Sequence, residues 1–125
     1  MRLVCVLDCA DPDRLAAFWA AALRYRRQGD GPAAQYVSLL DPLGRGPELL
    51  LQRVPEPKDG KNRMHLDLRV PGAEGELDRL LRIGATRLRG PFDEDGWVTT
   101  VLADPEGNEF CLVVPPEGPE RSAAA

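Results

Sequence analysis

A single histidine, His65, and three cysteines, Cys5, Cys9 and Cys111, are all that this chain holds of the usual soft metal and redox ligands. The cysteines are odd in number and none stands in a Cys-x-x-Cys pair. That excludes a secreted disulfide framework and a structural zinc knot. Lysine is scarce too: of sixteen basic residues only Lys58 and Lys61 are lysine, and the arginines are scattered rather than massed. With a net charge of -4 and a pI near 5.0, the chain lacks the clustered positive charge that nucleic acid requires. No apolar run approaches the roughly 20 residues of a membrane span. The opening Met1-Arg2-Leu3-Val4-Cys5 enters a strand-like pattern at once, without a signal peptide's apolar stretch and cleavage site. A cytoplasmic protein is expected, with neither membrane nor nucleic acid as a partner. Phosphate loops, dinucleotide fingerprints and nucleophile–base–orienter sets are likewise missing, so no cofactor is expected.

What is present suits one soluble domain of 125 residues, 43% hydrophobic and 29% charged. Leu3 to Cys9 reads as a strand. Asp11-Pro12 is a helix start, a capping oxygen followed by proline where its missing N–H costs nothing. Leu15, Phe18, Trp19, Ala22 and Leu23 then form an apolar helical stripe. Arg24 to Gln28 suggests a short edge strand, followed by strands over Gln35–Leu40 and Glu48–Val54. After a proline-rich linker, Arg63–Val70 predicts a strand and Ala73–Ile83 a helix, with Gly84 placed for its C-terminal cap. Ala85–Arg89, Trp97–Ala103 and Glu109–Val114 supply three more strands.

The halves repeat in residues as well as in order. Val6-Leu7-Asp8 followed by Pro12 matches His65-Leu66-Asp67 followed by Pro71, 59 positions on (6 to 65). Asp41-Pro42-x-Gly44 before Glu48-Leu49-Leu50-Leu51 matches Asp104-Pro105-x-Gly107 before Glu109-Phe110-Cys111-Leu112, with Glu48 and Glu109 standing 61 apart. Duplication is the simplest account. It predicts an α+β fold of two tandem βαβββ modules, about 1–57 and 58–115 within one domain of 1–115, followed by a flexible tail over 116–125.

Three segments carry a family resemblance: Asp11-Pro12-Asp13-Arg14-Leu15-Ala16-Ala17-Phe18-Trp19, Asn62-Arg63-Met64-His65-Leu66-Asp67-Leu68 and Asp104-Pro105-Glu106-Gly107-Asn108-Glu109-Phe110. In these the chain resembles the vicinal oxygen chelate superfamily of glyoxalases, bleomycin resistance proteins and dioxygenases, in its glyoxalase-like domain subgroup. The resemblance implies an open barrel-like mixed sheet around a cavity, with the helices outside, and commonly a homodimer. Metal enzymes of the superfamily place one ligand on each of the first, fourth, fifth and eighth strands. Carried over, those positions are Val6, Leu50, His65 and Cys111. Only His65 keeps a usual ligand type, so the quartet is lost and no metal is expected. A His–Cys pair alone would hold a soft ion weakly.

His65 and Asp67 share one face of a strand by their i, i+2 spacing. Asp8, by the repeat, and Gln52, two beyond Leu50, are expected to face the cavity as well. Ligand-binding candidates are therefore Asp8, Gln52, His65, Asp67 and Cys111, with Arg63 at the rim and Trp97 stacking at the mouth. His65 beside Asp67 also fits a general base, which makes these two the catalytic candidates. The plainer alternatives are a His65–Asp67 hydrogen bond with no function, a Cys111 that merely packs, and a Trp97 that belongs to the core. Cys5 and Cys9 should point away from the cavity. The expected function is binding of a small molecule, as in sequestration or resistance, with a metal-independent lyase or isomerase acting through His65 as the alternative.

Overall fold

A computed structural model describes residues 1–29, 31–33, 35–71 and 75–116. The chain divides into two compact units, Met1–Gly60 and Lys61–Ala125. In the first, the order is β1 (Val4–Cys9), α1 (Pro12–Leu23), β2 (Arg26–Arg27), β3 (Tyr36–Leu40) and β4 (Glu48–Arg53). The second runs β5 (Leu66–Arg69), α2 (Glu76–Arg82), β6 (Thr86–Glu94), β7 (Trp97–Ala103) and β8 (Glu109–Val114). The βαβββ order thus occurs twice. Each unit forms an open four-stranded sheet, β1-β4-β3-β2 or β5-β8-β7-β6. In both, the first strand runs parallel to the last and the remaining pairs are antiparallel. The α+β class and the tandem modules hold, built as two open sheets.

Helix α1 forms for the reasons its sequence gives. The Asp11 carboxylate accepts the Arg14 amide at 3.2 Å, and Pro12 occupies the first turn. Leu15, Ala16, Phe18, Trp19 and Ala22 are buried, and the Phe18 and Trp19 rings meet edge-on at 5.2 Å. This stripe lies on β3 and β4. There Val37, Leu39, Leu49 and Leu51 are buried, while the alternating Tyr36, Ser38, Leu50 and Gln52 lie on the other face, half-buried or exposed. Cys9 is buried on the helix side, where its thiol reaches the Gln52 carbonyl at 3.6 Å.

The second unit repeats this division. Leu80 of α2, Leu102, Phe110 and Leu112 are buried. Helix α2 is described from Glu76; residues 73–74 of the expected helix lie outside the described residues. Gly84 follows it with φ +126°, a conformation that disfavours a side chain, as expected at a helix end. Of the expected tail, residues 117–125 lie outside the described residues.

The edge strand expected over Arg24–Gln28 is reduced to Arg26–Arg27, and two further strand boundaries differ from expectation by three residues or more. Strand β6 continues past Arg89 to Glu94, because bulges between Arg87, Arg89 and Phe92 absorb Gly90-Pro91 on an edge strand. Strand β5 starts at Leu66 rather than Arg63, leaving Arg63 and Met64 in a bend. The approach to β5 is held instead from β8: the Glu109 carboxylate accepts the Asn62 amide at 3.1 Å, and the Asn62 side chain accepts the Glu109 amide at 3.4 Å.

The register also amends the repeat. Val6 stands opposite Leu50, whereas Cys111 stands opposite Asp67. With Leu50 and Cys111 as mates, the partner of Val6 is therefore Asp67, and His65 falls two residues earlier. The turn from Asp41 to Glu48 is two residues longer than that from Asp104 to Glu109. A shift of two keeps every side chain on its face, since strand side chains alternate with period 2.

Candidate functional site

Strand β8 lies between β5 and β7, and the turn before it is locked from within. The buried Asp104 carboxylate accepts the amides of Glu106 at 2.9 Å and Asn108 at 3.0 Å, and the Asn108 side chain at 2.9 Å. Gly107 supplies the positive φ, +86°, that this turn needs. Asp41 does the same before β4, accepting the amides of Leu43, Arg45 and Gly46, and these bonds hold its carboxyl below the usual carboxylate range. The shared Asp-Pro-x-Gly motif is thus a device that sets the register of the last strand in each unit.

That register brings Cys111 beside Asp67 and continues across the sheet through Val101 to Arg89. Cross-strand partners share a face, so this row lies on one side of the sheet. His65 completes a cluster: its donor atoms, those of Asp67 and the thiol of Cys111 all lie within 4.8 Å of one another. The His65 Nδ1 is 3.5 Å from an Asp67 carboxylate oxygen, and the two side chains are 45% and 40% exposed. Both are open to an incoming molecule. At 3.5 Å the pair makes at most a weak hydrogen bond.

Cys111 is half-buried. Burial first, then the Asp67 charge and the hydrogen bond the thiol donates to Asp67, push it above the usual thiol range, while Arg89 and Lys61 act the other way. A thiol so held is protonated at neutral pH and is a poor nucleophile. One row further along β5, Arg69 stands opposite Val113 and its guanidinium lies 5.3 Å from the centre of the Trp97 ring. Trp97 is therefore on the cluster's sheet, with an arginine as its ring partner.

The expected residues divide between the units. His65, Asp67 and Cys111 meet in the second, where Trp97 also lies. Asp8 and Gln52 stand opposite each other in the first, on the face away from α1, with Tyr36 opposite Gln52. The Gln52 amide reaches the Tyr36 hydroxyl at 3.5 Å. Arg63 is exposed in the bend before β5. Sequence reasoning passed over Arg69, Arg89 and Tyr36. Arg69 was accessible by the same i, i+2 argument as Asp67. Arg89 and Tyr36 depend on cross-strand register, which one sequence does not state.

The residues fit the superfamily's four-ligand metal centre poorly. Val6 and Leu50 carry no donor atom, so two of the four carried-over positions are empty of chemistry.

The chain matches the family model described as a glyoxalase-like domain over residues 4–113. A comparison with curated proteins gave no match. Among solved structures, it is similar to a glyoxalase/bleomycin resistance protein/dioxygenase family enzyme from Burkholderia phytofirmans PsJN. That likeness has a TM-score of 0.74 at 17% identity, covering 89% of this chain and 95% of the other. A glyoxalase-related enzyme from Fulvimarina pelagi gives a TM-score of 0.71 at 17% identity, over 98% and 93% of the two chains. A glyoxalase/bleomycin resistance protein/dioxygenase superfamily member from Sphaerobacter thermophilus DSM 20745 gives 0.69 at 20% identity, over 91% and 96%. At these identities the structures speak for the fold, and the family model speaks for descent. The chain belongs to the glyoxalase-like domain family of the vicinal oxygen chelate superfamily.

Proposed function

We propose that this protein binds a small, polar aromatic molecule on the open face of its second sheet, in the manner of sequestration. One observation carries the reading: a histidine, a carboxylate and a thiol converge within 4.8 Å while His65 and Asp67 remain open to solvent. Such a mixed set of donors and acceptors orients a ligand, and neighbouring apolar and aromatic surface adds contact area. Val101 in the same row and Trp97 nearby supply that surface. Arg89 and Lys61, whose charges act on Cys111, favour a ligand with an electron-rich or anionic group.

A second reading has its own support. The Asp67 carboxylate stands near His65 Nδ1, an arrangement that orients an imidazole and leaves Nε2 for a substrate proton. The enzyme would then be a metal-independent lyase or isomerase, with Asp67 as the positioning residue.

A thermal-shift screen of aromatic acids and phenols, followed by calorimetry on the best hit with wild type and His65→Ala, tests both. A binding role predicts an affinity loss of about 1–3 kcal/mol in the variant, the cost of unpairing a polar contact. Catalysis by His65 predicts a turnover loss of roughly 10²–10⁴-fold with little change in affinity. Unchanged affinity and turnover, with only a lower melting temperature, would remove both readings.

A further inference from the structure

The second sheet ends on a strand that no other strand among the described residues covers. Strand β6 is the edge of the order β5-β8-β7-β6, it is nine residues long, and every residue of it except Gly90 is exposed. Its outer side presents backbone N–H and C=O groups without a ladder partner, a template for another strand. The sequence Thr86-Arg87-Leu88-Arg89-Gly90-Pro91-Phe92-Asp93-Glu94 carries its bases before Gly90 and its acids after it. We propose that β6 pairs antiparallel with β6 of a second copy of this chain, about a two-fold axis at Gly90.

Charge sets this register. Turning the strand about Gly90 places Arg87 of each copy opposite Asp93 of the other, and Thr86 opposite Glu94, so no like charges face each other. Among the described residues neither Arg87 nor Asp93 has an ion-pair partner in its own chain. The Asp93 carboxylate accepts the Gly96 amide at 2.9 Å and keeps acceptor capacity for a guanidinium.

The faces agree as well. Joined edges make one continuous sheet, so opposed residues must lie on the same side of it. Arg87 and Asp93 stand opposite Leu102 and Val98, which share one side of β7, while Thr86 and Glu94 stand opposite Ala103 and Trp97 on the other. Two bulges preserve this match, where a single one would have split Arg87 from Asp93. An axis at Pro91 would instead oppose Arg89 to Asp93, but one bulge lies between them and they take opposite faces.

Apolar surface is covered in the same register. Leu88 and Phe92, 44% and 47% exposed, stand opposite each other on both sides of the axis. Bulges and proline ordinarily blunt an edge. Here they gather at the axis, so the ladder forms as two stretches, 86–88 of each copy against 92–94 of the other. Arg89 and Phe92 lie in the rows that run through Val101 and Thr99 to Asp67 and Arg69. The joined sheet therefore extends that face from one copy into the other. The pairing does not rest on what the face binds.

Light scattering on the full chain, with wild type and two charge reversals, tests the pairing. Wild type at micromolar concentration is expected at twice the 13.7 kDa of the chain. Arg87→Glu brings acids against acids and Asp93→Arg bases against bases, so each alone should weaken the dimer about tenfold or more. An equimolar mixture of the two variants should restore a dimer, because opposite charges then face each other at both ends. Circular dichroism melts establish that each variant is folded, Asp93→Arg having given up the Gly96 bond. Should it not fold, Leu88→Lys, which sets a charge against Phe92, takes its place and should weaken the dimer by a similar factor. A monomeric wild type, a dimer indifferent to these changes, or folded single variants whose mixture stays monomeric would overturn the proposal.

Discussion

Two acids outside the cluster, Asp104 and Asp41, hold the turns that lead into the last strand of each unit. Asp104 ties the turn before β8 and is buried while accepting backbone amides. Asp41 plays the matching part before β4 and is the more readily tested. Its amide bonds lower its pKa from 3.8, the Leu43 amide acting most strongly. A carboxyl lowered on folding stabilises the protein above its unfolded value, and that contribution is lost as pH falls through the folded value. Asp13 is lowered as well, chiefly by the hydrogen bond from Arg27 and then by the Ala33 amide. Thermal melts should therefore show an acid limb that steepens below about pH 4. Asp41→Ala should lower the melting temperature at pH 7 and flatten that limb. A variant whose loss is the same at pH 3 and pH 7 would show that its carboxylate is not what holds the turn.

Among the elements, α1 and the sheet it covers were legible in the sequence, and the reason is local. Capping, proline at the first turn and a helical stripe lie within one short segment, so each residue announces its own role. β7 and β8 were equally readable, being bounded by turn residues and rich in β-branched and apolar side chains. Strand β6 was cut short because Gly90-Pro91 looks like a break, and only the edge position of the strand lets bulges carry it through. The start of β5 was misplaced because its approach is fixed by Asn62 and Glu109, 47 residues apart. His65, Asp67 and Cys111 could be named from parity and resemblance. Their convergence depends on β5–β8 register, a long-range property. Leu15, with no exposed surface beneath α1, measures how much of the first unit rests on that helix. Leu15→Ala should cost about 2–5 kcal/mol in urea unfolding, through lost burial and the cavity left behind. A loss below about 1 kcal/mol would mean that α1 is not anchored as described.

Across the whole molecule, the two units share a plan but not a chemistry. The first presents Val6, Leu50, Asp8, Gln52 and Tyr36 on the face opposite α1, while the second presents the only histidine with a thiol and a carboxylate beside it. No helix among the described residues is long and apolar enough to cross a membrane. Duplication and divergence thus account for a fold kept in both halves and for facing side chains that differ between them. The proposed binding face is the exposed side of the second unit's sheet. Amide chemical-shift mapping on the 13.7 kDa chain, titrated with the best aromatic hit, tests it most directly. Shifts should concentrate on His65–Arg69, Val101 and Cys111–Val113, saturate at one equivalent and weaken in His65→Ala. Shifts confined to the first unit, or centred on α2 and the buried side of the second sheet, would contradict it.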